Sequence, residues 1–199
     1  LIVKPKHIPW LIGGILVFYW ILMVGSNSLE ANATNLVAIM DTAILGASHM
    51  YKIGGIPFDP EGLLSTLPCI AHVLIGVTAG RIIDTNKDNG VRIQKLFILG
   101  SIILFIGFLM DYSFPINKTL WSSSYVLVTC GLALLLLGLL IWIIDINGKR
   151  KWCVFFESFG INPMAIFVLA GIISNLISNI GFTYAGSWTS IKGFIYNSL

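Results

Sequence analysis

Asp59-Pro60-Glu61-Gly62-Leu63-Leu64-Ser65-Thr66 opens an apolar run that continues to Ile83. Aspartate is a helix-capping residue, proline suits the first helical position, and glutamate complements the positive end of a helix dipole. The run is about as long as a bilayer crossing requires. The stretch therefore predicts a membrane-spanning helix over 62–83, capped by Asp59, with two carboxylates at its mouth. A second polar patch, Asn117-Lys118-Thr119-Leu120-Trp121-Ser122-Ser123-Ser124-Tyr125, opens another apolar run. The two patches are expected at one membrane surface, facing a common water-accessible cavity.

Composition agrees with that reading. The chain has 199 residues, of which 56% are hydrophobic and only 11% charged, against roughly 25% charged in soluble domains. Five segments, 8–24, 62–83, 95–114, 122–144 and 162–180, are apolar enough to span. Burying all five in a soluble core would leave little chain to cover them. The expected fold is all-α: a single integral-membrane helical bundle of about five spans plus a short surface or re-entrant helix.

The net charge of +3 is explained by topology, not by a nucleic-acid partner. Lys4 and Lys6 precede the first span, Arg81, Lys87, Arg92 and Lys95 flank the second loop, and Lys149, Arg150 and Lys151 fill the fourth. The opposite side keeps Lys52, Lys118 and Lys192. The positive-inside rule then places the N-terminus in the cytoplasm and the C-terminal tail outside, in the cytoplasmic membrane if the source is a bacterium.

Loop 25–61 is long enough to need a purpose. Within it, 36–46 has helical spacing but cannot span, and Gly54-Gly55-Ile56-Pro57 predicts a turn. Segment 152–161 is aromatic and suits an interfacial stretch before Asn162-Pro163 begins the last span. Trp10, Trp20, Trp121 and Trp142 lie near span ends, as an aromatic belt requires. Cys69, Cys130 and Cys153 form no CxxC pair, so neither a disulfide framework nor a metal site is indicated.

Several residues carry chemistry. Asp59 and Glu61 are structural caps or groups that orient a polar substrate. His49, in an outward loop, is a packing residue or a general base. His72 lies inside a span, where a polar ring needs a partner. In the 117–125 patch, capping accounts for one or two hydroxyls, not for Thr119, Ser122, Ser123, Ser124 and Tyr125 together. With Lys118 and exposed helix N–H groups, the patch suits a phosphate or carboxylate. No GxSxG, HExxH, Walker or GxGxxG pattern occurs.

His49-Met50-Tyr51, Asp59-Pro60-Glu61-Gly62, Asn117-Lys118 with Leu120-Trp121-Ser122-x-Ser124-Tyr125, and Gly160-Ile161-Asn162 occur in a familiar order and spacing. The chain resembles the heparan-alpha-glucosaminide N-acetyltransferase family, including its bacterial-type members. The resemblance implies a multi-span acetyltransferase that uses acetyl-CoA as co-substrate to modify an amino sugar or related glycan across the membrane. It also implies that the chain is the C-terminal portion of a longer protein, because the family's catalytic histidine lies in an earlier loop. The expected partners are the lipid bilayer, the glycan acceptor, the N-terminal half of the same protein and a second copy of the chain. The implied binding residues are Asn117, Lys118, Trp121, Ser122, Ser124, Tyr125 and Asn162. Thr42 departs from the arginine usual in the family after Asp41. The alternatives are a transporter and a non-catalytic membrane subunit that binds a polar ligand on its outer face. A transporter would place charged or broken elements at mid-membrane, and only His72 is ionisable there.

Overall fold

A computed structural model describes residues 4–53, 55–60, 62–184 and 187–198. The chain divides into two compact units, Leu1–Gly148 and Lys149–Leu199. In the first unit a short 3-10 turn, Pro5–His7, leads into α1 (Ile8–Gly25). The short helix α2 (Leu36–Leu45) comes next, then a two-stranded hairpin of β1 (Lys52–Ile53) and β2 (Ile56–Pro57). The long helices α3 (Thr66–Thr85), α4 (Asn89–Asp111) and α5 (Ser123–Ile141) complete it, and a π-helical turn, Trp142–Ile146, extends α5.

Four helices of this unit are long and apolar enough to cross a membrane. Their surfaces fit that environment: Ile21, Val73 and Phe105 are exposed, whereas Asn35, Asp41 and Ser122–Ser124 are buried. Apolar outside and polar inside is what lipid as solvent selects, since hydrocarbon cannot hydrogen-bond a stray polar group. The protein is a multi-pass integral-membrane protein.

The closest packing joins α4 to α5. A Cβ on Gly107 would sit 2.8 Å from Val128 Cγ2, and one on Gly131 would sit 2.7 Å from Leu104 Cβ and 2.9 Å from the Leu104 backbone. Gly100 and Gly138 meet the facing helix in the same way, seven residues before Gly107 and seven after Gly131. A seven-residue repeat returns to nearly the same helix face. Small residues along that seam allow the backbones to approach, and dispersion between close helices replaces the hydrophobic drive that lipid removes. Leu16, Ala71, Ile75, Leu96, Val126 and Leu134 join α1 and α3 to this pair. A second buried cluster, containing Tyr19, Met23, Val37, Phe58, Leu64, Phe114 and Leu120, closes the end of the unit where α2 lies.

In the second unit, α6 (Cys153–Ile161) and α7 (Pro163–Asn179) meet at 96°. Asn162 sits at the break with φ −125° and ψ 58°, outside the helical region. Pro163 explains the break, because proline disfavours helical backbone at the residue before it. Taken as one bent segment, this pair is the fifth apolar element. The hairpin of β3 (Gly181–Tyr184) and β4 (Ser187–Ser190) leads into α8 (Ile191–Ser198).

The structure corrects the start of the second span. Helix α3 begins at Thr66, not at residue 62, and Ser65 occupies the cap position. Asp59 therefore does not cap it. Instead, Asp59 O accepts the Gly62 N–H at 3.1 Å, and Thr66 N–H and Leu67 N–H reach back only three residues, to Leu63 O and Leu64 O. Residues 63–65 form tight turns, and an acceptor from another helix, Asp41, takes the Leu63 N–H. The apolar run in the sequence is continuous across this change, so hydropathy alone does not reveal it.

Candidate functional site

The turn into α5 is stitched by its own side chains. Asn117 Oδ1 accepts the N–H groups of Thr119 (2.8 Å) and Leu120 (3.3 Å). Ser122 Oγ accepts from Asn117 N–H at 3.0 Å and Tyr125 N–H at 3.3 Å, which makes it the cap of α5. It also lies 2.9 Å from Ser124 Oγ, which donates to Phe114 O at 2.6 Å. Ser123 Oγ donates to Leu16 O (2.8 Å) and Tyr19 Oη to Leu120 O (2.7 Å), so α1 is bonded to both sides of the turn. All three serines are buried. Their hydroxyls are engaged within the chain, so they position the turn; Lys118 is exposed at its apex.

This stitching holds Trp121 at φ 51°, in the left-handed region that a bulky residue adopts only under constraint. The indole consequently packs against α3: its ring centre lies 6.0 Å from His72 and 5.3 Å, edge-on, from Tyr125. Trp121 Nε1 and His72 Nδ1 are both buried without a hydrogen-bond partner among the described residues. Buried polar atoms are ordinarily paired, so these two nitrogens stand out, as does Asp41 Oδ2, which is likewise buried without a partner among the described residues.

The second element is the clamp on the 63–65 turns. Asp41, fully buried on α2, accepts the Leu63 N–H at 3.0 Å. Gly62 lies directly against it, and a Cβ there would overlap the carboxylate. Burial pushes the Asp41 carboxyl above the usual aspartate range; the backbone N–H groups of Leu63 and Leu64 pull it partly back, and nearby Asp59 pushes it up again. The folded state thus holds a proton on Asp41 more tightly than the unfolded chain does. Stability is expected to fall as pH rises from the ordinary aspartate range toward the raised value, and to level off above it. Thermal unfolding from about pH 4 to about pH 7 checks this. Asp41→Asn, which keeps an acceptor and removes the charge, should flatten the profile. Asp41→Ala should cost about 1 kcal/mol through the lost bond to the Leu63 N–H, and the cost should shrink as pH rises.

Phe58 and Leu64 from one patch pack in the same buried cluster as Phe114 and Leu120 from the other. The structure thus brings the two polar patches to one end of the unit, joined by packed side chains. His49 is exposed beyond the end of α2, its Nδ1 3.0 Å from Leu45 O, the arrangement of a residue that completes a helix end. Asp59 is half-buried in the turn, and Glu61 falls outside the described residues. Asn162 belongs to the second unit, where it is exposed at the α6–α7 break. Among the described residues no group of three or more His, Cys, Asp or Glu is placed to hold a metal.

Asp41 as a clamp is the functional residue that sequence reasoning missed. Its signal was present: with Val37 and Ala38 it lies on the buried face of α2, and an acid at an apolar-face position requires a partner from another element.

No family model matches the sequence. Two curated proteins do. Mouse (Mus musculus) heparan-alpha-glucosaminide N-acetyltransferase is 32% identical over 151 residues, 68% of this chain and 23% of that protein. Its human (Homo sapiens) counterpart is 29% identical over 168 residues, 76% of this chain and 25% of that protein. The chain spans about a quarter of the length of these relatives. Taken with a multi-pass helical membrane fold, these similarities place the chain in the heparan-alpha-glucosaminide N-acetyltransferase family.

Proposed function

We propose that this chain is part of an integral-membrane acetyltransferase that takes the acetyl group of acetyl-CoA and delivers it to the amine of an amino sugar or related glycan. The observation that carries this reading is the constrained Trp121 turn, with unpaired Trp121 and His72 nitrogens beside it, in a chain related to enzymes named for N-acetyl transfer. Such pre-arranged hydrogen-bonding groups in a water-poor site are what acyl transfer uses to hold a carbonyl. Lys118, Trp121 and Tyr125 contact donor or acceptor, while Asn117, Ser122 and Ser124 hold the turn that presents them. Asp59, at the same end, orients the polar acceptor. The positive-inside distribution supports an N-terminus and an 86–88 loop on the cytoplasmic side, where acetyl-CoA is supplied, with the Trp121 end on the far side.

The test is transfer of radiolabelled acetyl from acetyl-CoA to glucosamine by the full-length protein, with the portion N-terminal to this chain, reconstituted in lipid vesicles. Labelled N-acetylglucosamine is expected with native protein. Trp121→Ala should lower kcat/KM by at least about tenfold, roughly 1.4 kcal/mol of transition-state stabilisation, with folded yield retained. Lys118→Ala should chiefly raise KM. Folded protein that transfers acetyl to no amino sugar would overturn the reading.

A further inference from the structure

An apolar groove of about 330 Å³ runs between α1 and α4. Pro9, Gly13 and Val17 stand on its α1 wall, and Leu99, Ile103 and Ile106 on its α4 wall. Leu16, Ile75 and Leu127, buried on α1, α3 and α5, form its floor. The lining holds no charged residue, and its one hydroxyl, Thr78 Oγ1, is bonded to Leu74 O at 2.9 Å. No side chain in the groove therefore asks for a polar partner. A Cβ on Gly13 would meet no atom within 4 Å, so the bare backbone there leaves the space unfilled. Walls that face empty space lose their dispersion contacts, which an apolar occupant restores. From Pro9 to Val17 the α1 wall runs about 12 Å at the helical rise per residue. One leaflet supplies hydrocarbon to nearly that depth, about half of a ~30 Å core.

Charge defines the other part of the occupant. Pro9, Gly13, Leu16 and Val17 recur at helical spacing along one face of α1. Lys6 stands three residues before Pro9 and carries the same stripe one turn further. Lys4, Lys6 and His7 are all exposed, and the sequence has no Asp or Glu before Glu30. Trp10, 81% exposed, lies beside them, as an indole does at headgroup level. The groove thus has an apolar body and a cationic end at the depth where lipid headgroups lie. A neutral lipid would fill the body and leave the cations unmatched.

We propose that the α1–α4 groove seats an acyl tail of an anionic phospholipid, whose phosphate pairs with Lys6 and Lys4. The bound lipid then braces α1 against α4, supplying contacts that the two helices do not make with each other along the groove.

The experiment places the full-length protein in nanodiscs of equal parts phosphatidylcholine and phosphatidylglycerol, then identifies the lipids it retains by native mass spectrometry. Phosphatidylglycerol should be retained in preference. Lys6→Gln should lower the retained phosphatidylglycerol-to-phosphatidylcholine ratio about fivefold, and the Lys4→Gln/Lys6→Gln pair should lower it further. Lys87→Gln, an exposed cation outside the groove, should leave the ratio unchanged. Gly13→Leu fills the groove at a position with open space and should remove both lipids. Gly14→Leu, equally open but outside the lining, should retain them. The native thermal midpoint should be higher in phosphatidylglycerol than in phosphatidylcholine, and Gly13→Leu should abolish that difference. Native retention of phosphatidylglycerol by Gly13→Leu overturns the proposal, as does a ratio that the paired lysine substitutions do not move. A full-length protein that retains no lipid, yet loses stability on Gly13→Leu, would mean that a protein segment fills the groove, and overturns it too. None of these readouts depends on acetyl transfer.

Discussion

Gly131→Leu is expected to eliminate folded protein. The substituted Cβ would lie 2.9 Å from the Leu104 backbone as well as against its side chain, so no rotamer change can make room. Helix α4 would have to move away from α5, and the seam through Gly100, Gly107 and Gly138 would open with it. Overpacking a core site costs about 1–3 kcal/mol when side chains can adjust. A collision with backbone in the most closely packed pair should exceed about 3 kcal/mol, a large fraction of the stability of an ordinary domain. The measurement is folded yield and thermal midpoint in detergent, beside Gly171→Leu, whose Cβ meets no atom within 4 Å. Gly171→Leu should behave as the native protein. A Gly131→Leu protein with native yield and midpoint would mean that the α4–α5 approach is looser than the structure has it.

The second large effect is expected at Gly62. A Cβ there overlaps the Asp41 carboxylate, so Gly62→Ala must either open the 63–65 turns or push Asp41 off the Leu63 N–H. Either change leaves a buried donor or carboxylate unsatisfied, at a cost of about 1–3 kcal/mol. The site lies before the start of α3, so the protein should still insert, while the acetyl transfer proposed for the full-length protein should fall further than stability does. A double-mutant cycle identifies the cause. Asp41→Ala removes the obstructing carboxylate, so in that background Gly62→Ala should cost much less than it does alone. Additive losses would show that the two residues do not collide.

The sequence and the structure differ at the same places for a common reason. Spans were legible because hydropathy is a local property, and lipid demands that each spanning segment satisfy its own backbone. The short helix was legible over 36–46 from spacing, and one or two hydroxyls of the 117–125 patch were expected to cap α5, the part that Ser122 takes. The start of α3 was not, because the Leu63 N–H just before it is held by Asp41, brought there by the fold. The serines of the 117–125 patch looked like ligands in sequence and became internal braces in structure, since their partners are carbonyls of Leu16 and Phe114.

By itself the sequence determined that this is a multi-span helical membrane protein with polar patches opening two of its helices, and it carried the resemblance to a family of N-acetyltransferases. Composition, period and motif order suffice for that, because each is read along the chain. Only the tertiary structure decided which polar groups are already bonded and which remain unpaired. His72 and Trp121, far apart in sequence, are brought ring to ring with their nitrogens unpaired among the described residues because α3 and α5 pack together and the Trp121 turn is held in a left-handed conformation. Hydrogen-bond satisfaction is a property of neighbours in space, and no pattern along the chain reports it.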